Sequence, residues 1–383
     1  MYRLNEEQQR IVSEATAAAV AHIGPDAARV DREGTFPEGS IGALGQCGLL
    51  GLNVPLEFGG RGQGPRTIAA VLEVVGRHCS STAMIYLMHL CGIACYAAAP
   101  EKTAAQLRAA AQGKHLSTLA FSEAGSRSHF WVPISRAAAV NGGVHVSASK
   151  SFVTSAGRAD GYVVSTLAPN AMQPLETSLY MMLRDDKGLR VSGAWKGVGM
   201  RGNASAPMTL ENVALADDRA LSAPGKGLDM MLGVALPVFQ IGSAAIAVGI
   251  AEAAVQATIG HLTHARFEDT HDTLAQLPTL RARVAEMRVQ TDCARAHLVA
   301  VLDSLESPGP ETQLLVLEVK AAATEAAVAV TDTAMRACGG AAFGGAHGIE
   351  RLFRDARAPI VMAPTTDQAY DFIGRALCGL ELF

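Results

Sequence analysis

The sequence predicts a mostly helical α+β protein: an N-terminal helical domain, a central antiparallel β domain and a C-terminal four-helix bundle. Three observations carry this. The 383 residues are 49% hydrophobic but only 5% aromatic. The core is therefore built from Ala, Val, Leu and Ile, and alanine favours helix above every other residue. Apolar residues recur at three-four spacing toward the C-terminus. Between the helical ends, short apolar and β-branched runs are separated by Gly, Asn, Asp and Pro. The length suits two or three domains, and the breaks fall at 1–115, 116–225 and 226–383.

Asn5 is placed to cap a first amphipathic helix, which Gly24-Pro25 breaks. A second helix over 39–50 closes at Gly51, and a turn-rich loop follows. Helices resume over 68–76 and 82–98, where Pro100 stops the run. Strands are expected at 144–148, 161–166, 179–183 and 208–213. Residues 230–250 contain no charge, and that length could span a bilayer. Pro237, Gln240, Ser243 and the glycines instead indicate a buried bundle helix starting near Pro237, where proline suits a first turn. Leu280, Val284, Met287, Leu298, Val301, Leu302 and Leu305 mark the next helix. Ser307-Pro-Gly-Pro separates it from an alanine-rich helix over 314–335, as in an antiparallel bundle.

The 32 basic and 36 acidic residues give a net charge of -4, which argues against a nucleic-acid partner. The first ten residues lack an apolar signal core, and nothing points to a membrane partner. Seven dispersed cysteines are expected as free thiols in a reducing, cytoplasmic compartment. Cys91 and Cys95 share a helix face without a second ligand pair, so they are expected in the core and no metal site is expected.

Gly197-Val-Gly-Met-Arg-Gly matches G-x-G-x-x-G, but no helix follows it, so it is expected as a turn. His261, His264 and His271 lie near Asp269 and Asp272 in a polar break, where solvated side chains are expected. His89 sits in the apolar stretch Tyr86-Leu-Met-His-Leu-Cys. It is either a satisfied core group or a candidate acid–base. The loop from Gly339 can approach a phosphate closely.

Taken in order, several segments resemble signatures of the acyl-CoA dehydrogenase superfamily. They are Gly48-Leu-Leu-Gly-Leu-Asn-Val-Pro, Leu119-Ala-Phe-Ser-Glu-Ala-Gly-Ser, Lys150-Ser-Phe-Val-Thr-Ser, Gly199-Met-Arg-Gly-Asn, Cys338-Gly-Gly-Ala-Ala-Phe and Leu352-Phe-Arg-Asp-Ala-Arg. The resemblance runs from end to end. It implies the same three-part fold, FAD (or FMN) as cofactor and a homo-oligomer, a dimer or tetramer. It implies that Phe121 and Ser122 contact the flavin, that Phe152 stacks on it where many relatives carry Trp, and that Thr154 bonds near N5. It further implies dinucleotide contacts by Arg266, Arg336, Gly339, Gly340, Thr365 and Asp367, although the Phe-Gly pair expected after Arg266 is absent. His129, Phe130 and Trp131 fall where an altered substrate pocket would be lined. Arg127 stands where relatives carry Asp.

In the family a Glu removes the substrate α-proton while hydride moves to the flavin. Here Ala363 occupies one position for that Glu and Phe239 the other. Three readings follow. The first is a dehydrogenase of an acyl thioester with a non-standard base, His89 or Asp367. The second is a flavin monooxygenase using reduced flavin and oxygen. The third is a non-catalytic flavin- or thioester-binding homologue. A dehydrogenase would hand electrons to an electron-transfer flavoprotein, whereas a monooxygenase would need a flavin reductase.

Overall fold

The computed structural model describes residues 2–382. The chain begins with six helices: α1 (Glu6–Ala18), α2 (Ala27–Glu33), α3 (Glu38–Gln46), α4 (Pro65–His78), α5 (Ser80–Ala97) and α6 (Pro100–Ala111). Asn5 caps α1 as expected. Its Oδ1 accepts from the Gln8 amide at 2.9 Å, and Gln8 Oε1 accepts from the Asn5 amide at 2.9 Å. This reciprocal pair satisfies two otherwise orphaned donors. Pro100 ends α5 and also opens α6, because a first-turn proline forfeits no helical bond.

Seven strands follow: β1 (Ser117–Ala120), β2 (Ala138–Val140), β3 (Gly143–Val153), β4 (Gly161–Leu167), β5 (Thr177–Leu183), β6 (Leu189–Val191) and β7 (Ala206–Ala216). They form two sheets, β1-β4-β5 and β2-β3-β7-β6. Every ladder is antiparallel except β1–β4, which is parallel with Ser117 opposite Gly161. β1 and β4 are joined through a crossover that visits the other sheet, so they can run the same way. Alternate residues of β4 and β5 face different cores. Val163, Leu179 and Met181 pack with the helices, while Tyr162, Val164 and Met182 face the second sheet. That period of two explains why both strands are buried along nearly their whole length.

The C-terminal helices are α7 (Gly227–Met230), α8 (Leu236–His264), α9 (Pro278–Glu306), α10 (Thr312–Phe343), α11 (Ile349–Asp355), α12 (Ala358–Val361) and α13 (Thr366–Leu377). α8, α9 and α10 pack on one another, with α13 against α10. The uncharged segment runs from the end of α7 through the helical turn at Met231–Ala235 into the first half of α8, which is buried without a break from Gln240 to Glu252. By length and composition two helical segments, Ser80–Ala97 and Gly227–His264, could cross a membrane, yet most of each apolar window is buried inside the protein. Helix α4 crosses α8 at Gly249, where a Cβ would stand 2.5 Å from the Glu73 carbonyl oxygen. Only glycine permits that approach. Beside the crossing, buried Glu73 pairs with Arg295 of α9 at 3.0 Å. Arg295 also holds Glu252 of α8 at 2.8 Å. All seven cysteines are free.

Candidate functional site

A cleft of about 570 Å³ opens between the β region, α5, the start of α8 and the α11–α12 segment. Its β-side wall is held by a buried ion pair. Lys150 Nζ donates to Glu123 Oε1 at 2.7 Å. The other Glu123 oxygen accepts from the amides of Ile134 at 3.0 Å and Ser135 at 2.9 Å. Burial raises the Glu123 pKa, but the Lys150 charge and these bonds outweigh it, so the carboxyl lies below its ordinary value. The pair has a direct geometric consequence. Phe121 and Ser122 immediately precede Glu123, and Ser151 and Phe152 immediately follow Lys150. The Ser151 amide donates to the Ser122 carbonyl at 2.9 Å, closing the two segments together.

Register shifts in β3 between Lys150 and Val153, and Phe152 takes a left-handed backbone with φ 53°. The residue is left 70% exposed, at the cleft. Thr154 also lines the cleft, its hydroxyl 3.0 Å from that of Ser205. Phe121 and Phe130 stack with centroids 6.4 Å apart. The opposite wall comes from Met84 and Met88 of α5, Phe239 of α8, and Met362 and Ala363. The Gly197–Gly202 motif is a loop, as expected, and it passes beneath α11. A Cβ on Gly199 would lie 2.5 Å from the Arg354 carbonyl oxygen, and the Met200 amide donates to Asp355 at 2.6 Å. Burial pushes the Asp355 carboxyl up to about 6.

Phe121, Ser122, Phe152, Thr154, Phe130, Phe239 and Ala363 are therefore gathered at one cleft. His129 and Trp131 are not. They stack on each other at 5.0 Å and line a second cleft of about 800 Å³, together with Asp367 and Phe372. Consecutive residues of this irregular loop point to different sides, which corrects the single pocket expected for the three. His89 also needs correction as a candidate acid–base. It is wholly buried and does not line the cleft. Its Nε2–H donates to the Leu50 carbonyl at 2.7 Å, and its Nδ1 accepts from the Ser117 amide at 3.0 Å. Burial lowers its pKa to about 4, so the imidazole is a neutral strut between α5, β1 and the loop at Leu50.

The expected dinucleotide contacts lie elsewhere. Thr365 caps α13, accepting from the Gln368 amide at 3.3 Å. Arg266 is exposed and donates to the His271 carbonyl at 2.9 Å, and Arg336 is exposed and bonded to Asp332 at 2.8 Å. Gly339, with φ 54°, and Gly340 face open space. His261 meets His347 at 3.2 Å, and no group of three metal-ligating side chains occurs among the described residues.

One buried group was not anticipated from sequence. Lys320 of α10 is 1% exposed, and its ammonium donates to the carbonyls of Met362 at 2.9 Å and Pro364 at 2.7 Å. These flank Ala363. Burial lowers its pKa to about 7, against about 10.4 for a free lysine. Above about pH 7 the native state releases this proton while the unfolded chain keeps it, so this group makes stability rise with pH across that window. Denaturant unfolding at several pH values should show this rise in the parent protein and a smaller one in Lys320→Met. An identical pH dependence would refute the assignment.

The family model for the acyl-CoA dehydrogenase N-terminal domain matches residues 5–114, and that for the C-terminal domain matches residues 225–378. The chain is 27% identical to cyclohex-1-ene-1-carbonyl-CoA dehydrogenase of Geobacter metallireducens, over 98% of this chain and 99% of the relative. The fold is shared with a glutaryl-coenzyme A dehydrogenase in complex with glutaryl-CoA (TM-score 0.92, 21% identity, covering 99% and 97% of the two chains). It is shared also with FMN-bound TdsC of Paenibacillus sp. A11-2 (TM-score 0.87, 22% identity, 97% and 97%).

Proposed function

The chain belongs to the acyl-CoA dehydrogenase superfamily, and we propose that it is a flavin-dependent oxidoreductase of the monooxygenase type, acting on a largely apolar substrate held in the principal cleft. The observation that carries this reading is the chemistry of the wall. Among the described residues, no Asp, Glu, His, Lys, Cys or Tyr lines the cleft; its only ionisable groups are arginines. Arginine stays protonated and cannot take a proton. A positioned base contributes roughly 10²- to 10⁴-fold, so α-proton removal would forgo that factor here. Neither His89 nor Asp367 lines the cleft, which speaks against either as a substitute.

The residues present fit a flavin ring. The group needs a flat apolar surface and neutral donors at its edge, and the cleft offers the bare face of Phe152 beside the hydroxyls of Ser122, Thr154 and Ser205. Phe152, Phe121, Ser122 and Thr154 would hold it, with FAD or FMN as the form. When bound, a flavin supplies hydride transfer or oxygen activation. The protein's own part is placement: the Glu123–Lys150 clamp fixes the ring-facing segments, and Phe121, Phe130, Met84 and Met88 keep water from the substrate. Electrons would come from a partner flavin reductase, and a homo-oligomer would complete the dinucleotide contacts of Arg266, Arg336, Gly339, Gly340, Thr365 and Asp367.

A second reading, α,β-dehydrogenation of an acyl thioester with electrons passed to an electron-transfer flavoprotein, is favoured by the sequence relatives, which carry dehydrogenase names. The first test is whether the protein is yellow as purified. A colourless protein that takes up neither FAD nor FMN would overturn both readings.

A further inference from the structure

Three guanidinium groups line the principal cleft, and they are not equivalent. Arg354 is neutralised by Asp31 at 2.6 Å and Glu350 at 3.1 Å. Arg357 has no such partner. It donates to Thr331 Oγ1 at 3.2 Å and to the Phe353 carbonyl, and its Cζ lies 3.3 Å from the centroid of the Phe353 ring. Asp332, the acid whose charge acts on it, is itself bonded to Arg336 at 2.8 Å. Burial holds the Arg357 pKa below its ordinary value.

Arg127 is the other guanidinium without an acidic partner, and it is exposed. No ion pair within 4 Å is made by Arg127 or Arg357 among the described residues. Its backbone, at φ 56° and ψ -130°, lies in a region that residues with a Cβ rarely occupy, and such strain concentrates at ligand sites. The cleft lining thus carries two guanidinium groups without a carboxylate partner, Arg357 half-buried and Arg127 exposed. The half-buried charge of Arg357 favours an opposite charge beside it, and a guanidinium fork matches a carboxylate or phosphate.

We propose that Arg357 and Arg127 form an anion-recognising part of this cleft, which holds an anionic oxygen group of the bound ligand. The group is either the acid of a substrate or the phosphate of the flavin coenzyme. The inference rests on reading the cleft as the flavin and substrate site.

Two pairs of probes separate the sources. Flavin-stripped protein is titrated with FMN and with riboflavin, which lacks the phosphate. Flavin-loaded protein is titrated with benzoate and with its neutral isostere benzamide, following the flavin absorption spectrum. In at least one pair the anionic member should bind roughly 10- to 100-fold more tightly. Arg357→Gln should abolish that preference and Arg127→Gln weaken it. Arg357→Lys, which keeps the charge, should retain most of it and guards against a folding defect. A preference for FMN assigns the site to the coenzyme, and one for benzoate assigns it to the substrate. No preference in either pair, or a preference unchanged in Arg357→Gln, would overturn the proposal. Failure of both flavins to bind would overturn the flavin reading instead.

Discussion

Lys150→Met is expected to be the most damaging single substitution in the β region. The variant leaves Glu123, 5% exposed, without its counter-ion. Removing one member of a buried ion pair costs about 3–5 kcal/mol, a large share of the roughly 5–15 kcal/mol that holds a domain folded. The effect should reach function through geometry, because the same pair joins the segment carrying Phe121 and Ser122 to the one carrying Phe152. Flavin content should therefore fall along with the unfolding midpoint. The double variant Glu123→Gln/Lys150→Met removes both charges and should recover part of the stability. Chemical unfolding and the flavin absorbance of the purified variants measure both effects. A single variant as stable as the parent would show that the pair is not the clamp described.

The second large effect is a gain. Ala363 lies on the cleft wall, flanked by the two carbonyls that Lys320 holds in place. Ala363→Glu puts a carboxylate where the cleft has none. If base chemistry is what the cleft lacks, anaerobic flavin reduction by an acyl-CoA should rise by roughly 10²-fold or more in this variant. Stopped-flow absorbance under nitrogen reads the rate directly. A parent protein reduced as fast as the variant would show that a base is already supplied from outside this wall.

Much of the fold is legible in the sequence because the signals are local. The Asn5 cap, the Ser307-Pro-Gly-Pro break and the long apolar periodicities depend on residues a turn or two apart, and such patterns specify helices. The parallel β1–β4 pairing does not, since it joins residues 44 positions apart through a crossover with no short-range signature. Within the site, Phe121, Ser122, Phe152 and Thr154 meet because they flank the paired Glu123 and Lys150. His89 shows the limit. Its sequence neighbours are apolar in either role, and its two partners, Leu50 and Ser117, lie 39 and 28 residues away. The loop at His129, Phe130 and Trp131 shows another limit, because irregular backbone has no period from which side-chain direction can be read. Arg357 and Lys320 gain their meaning only from what surrounds them in the folded chain.

The cleft is proposed to perform flavin chemistry without a side chain to accept a proton. Anaerobic mixing of the flavin-loaded protein with a panel of acyl-CoAs tests it most directly. The flavin absorbance should stay unbleached, and an oxygenated product should form only once reduced flavin and oxygen are supplied with a suitable substrate. Rapid anaerobic bleaching by an acyl-CoA in the unmodified protein would contradict the account.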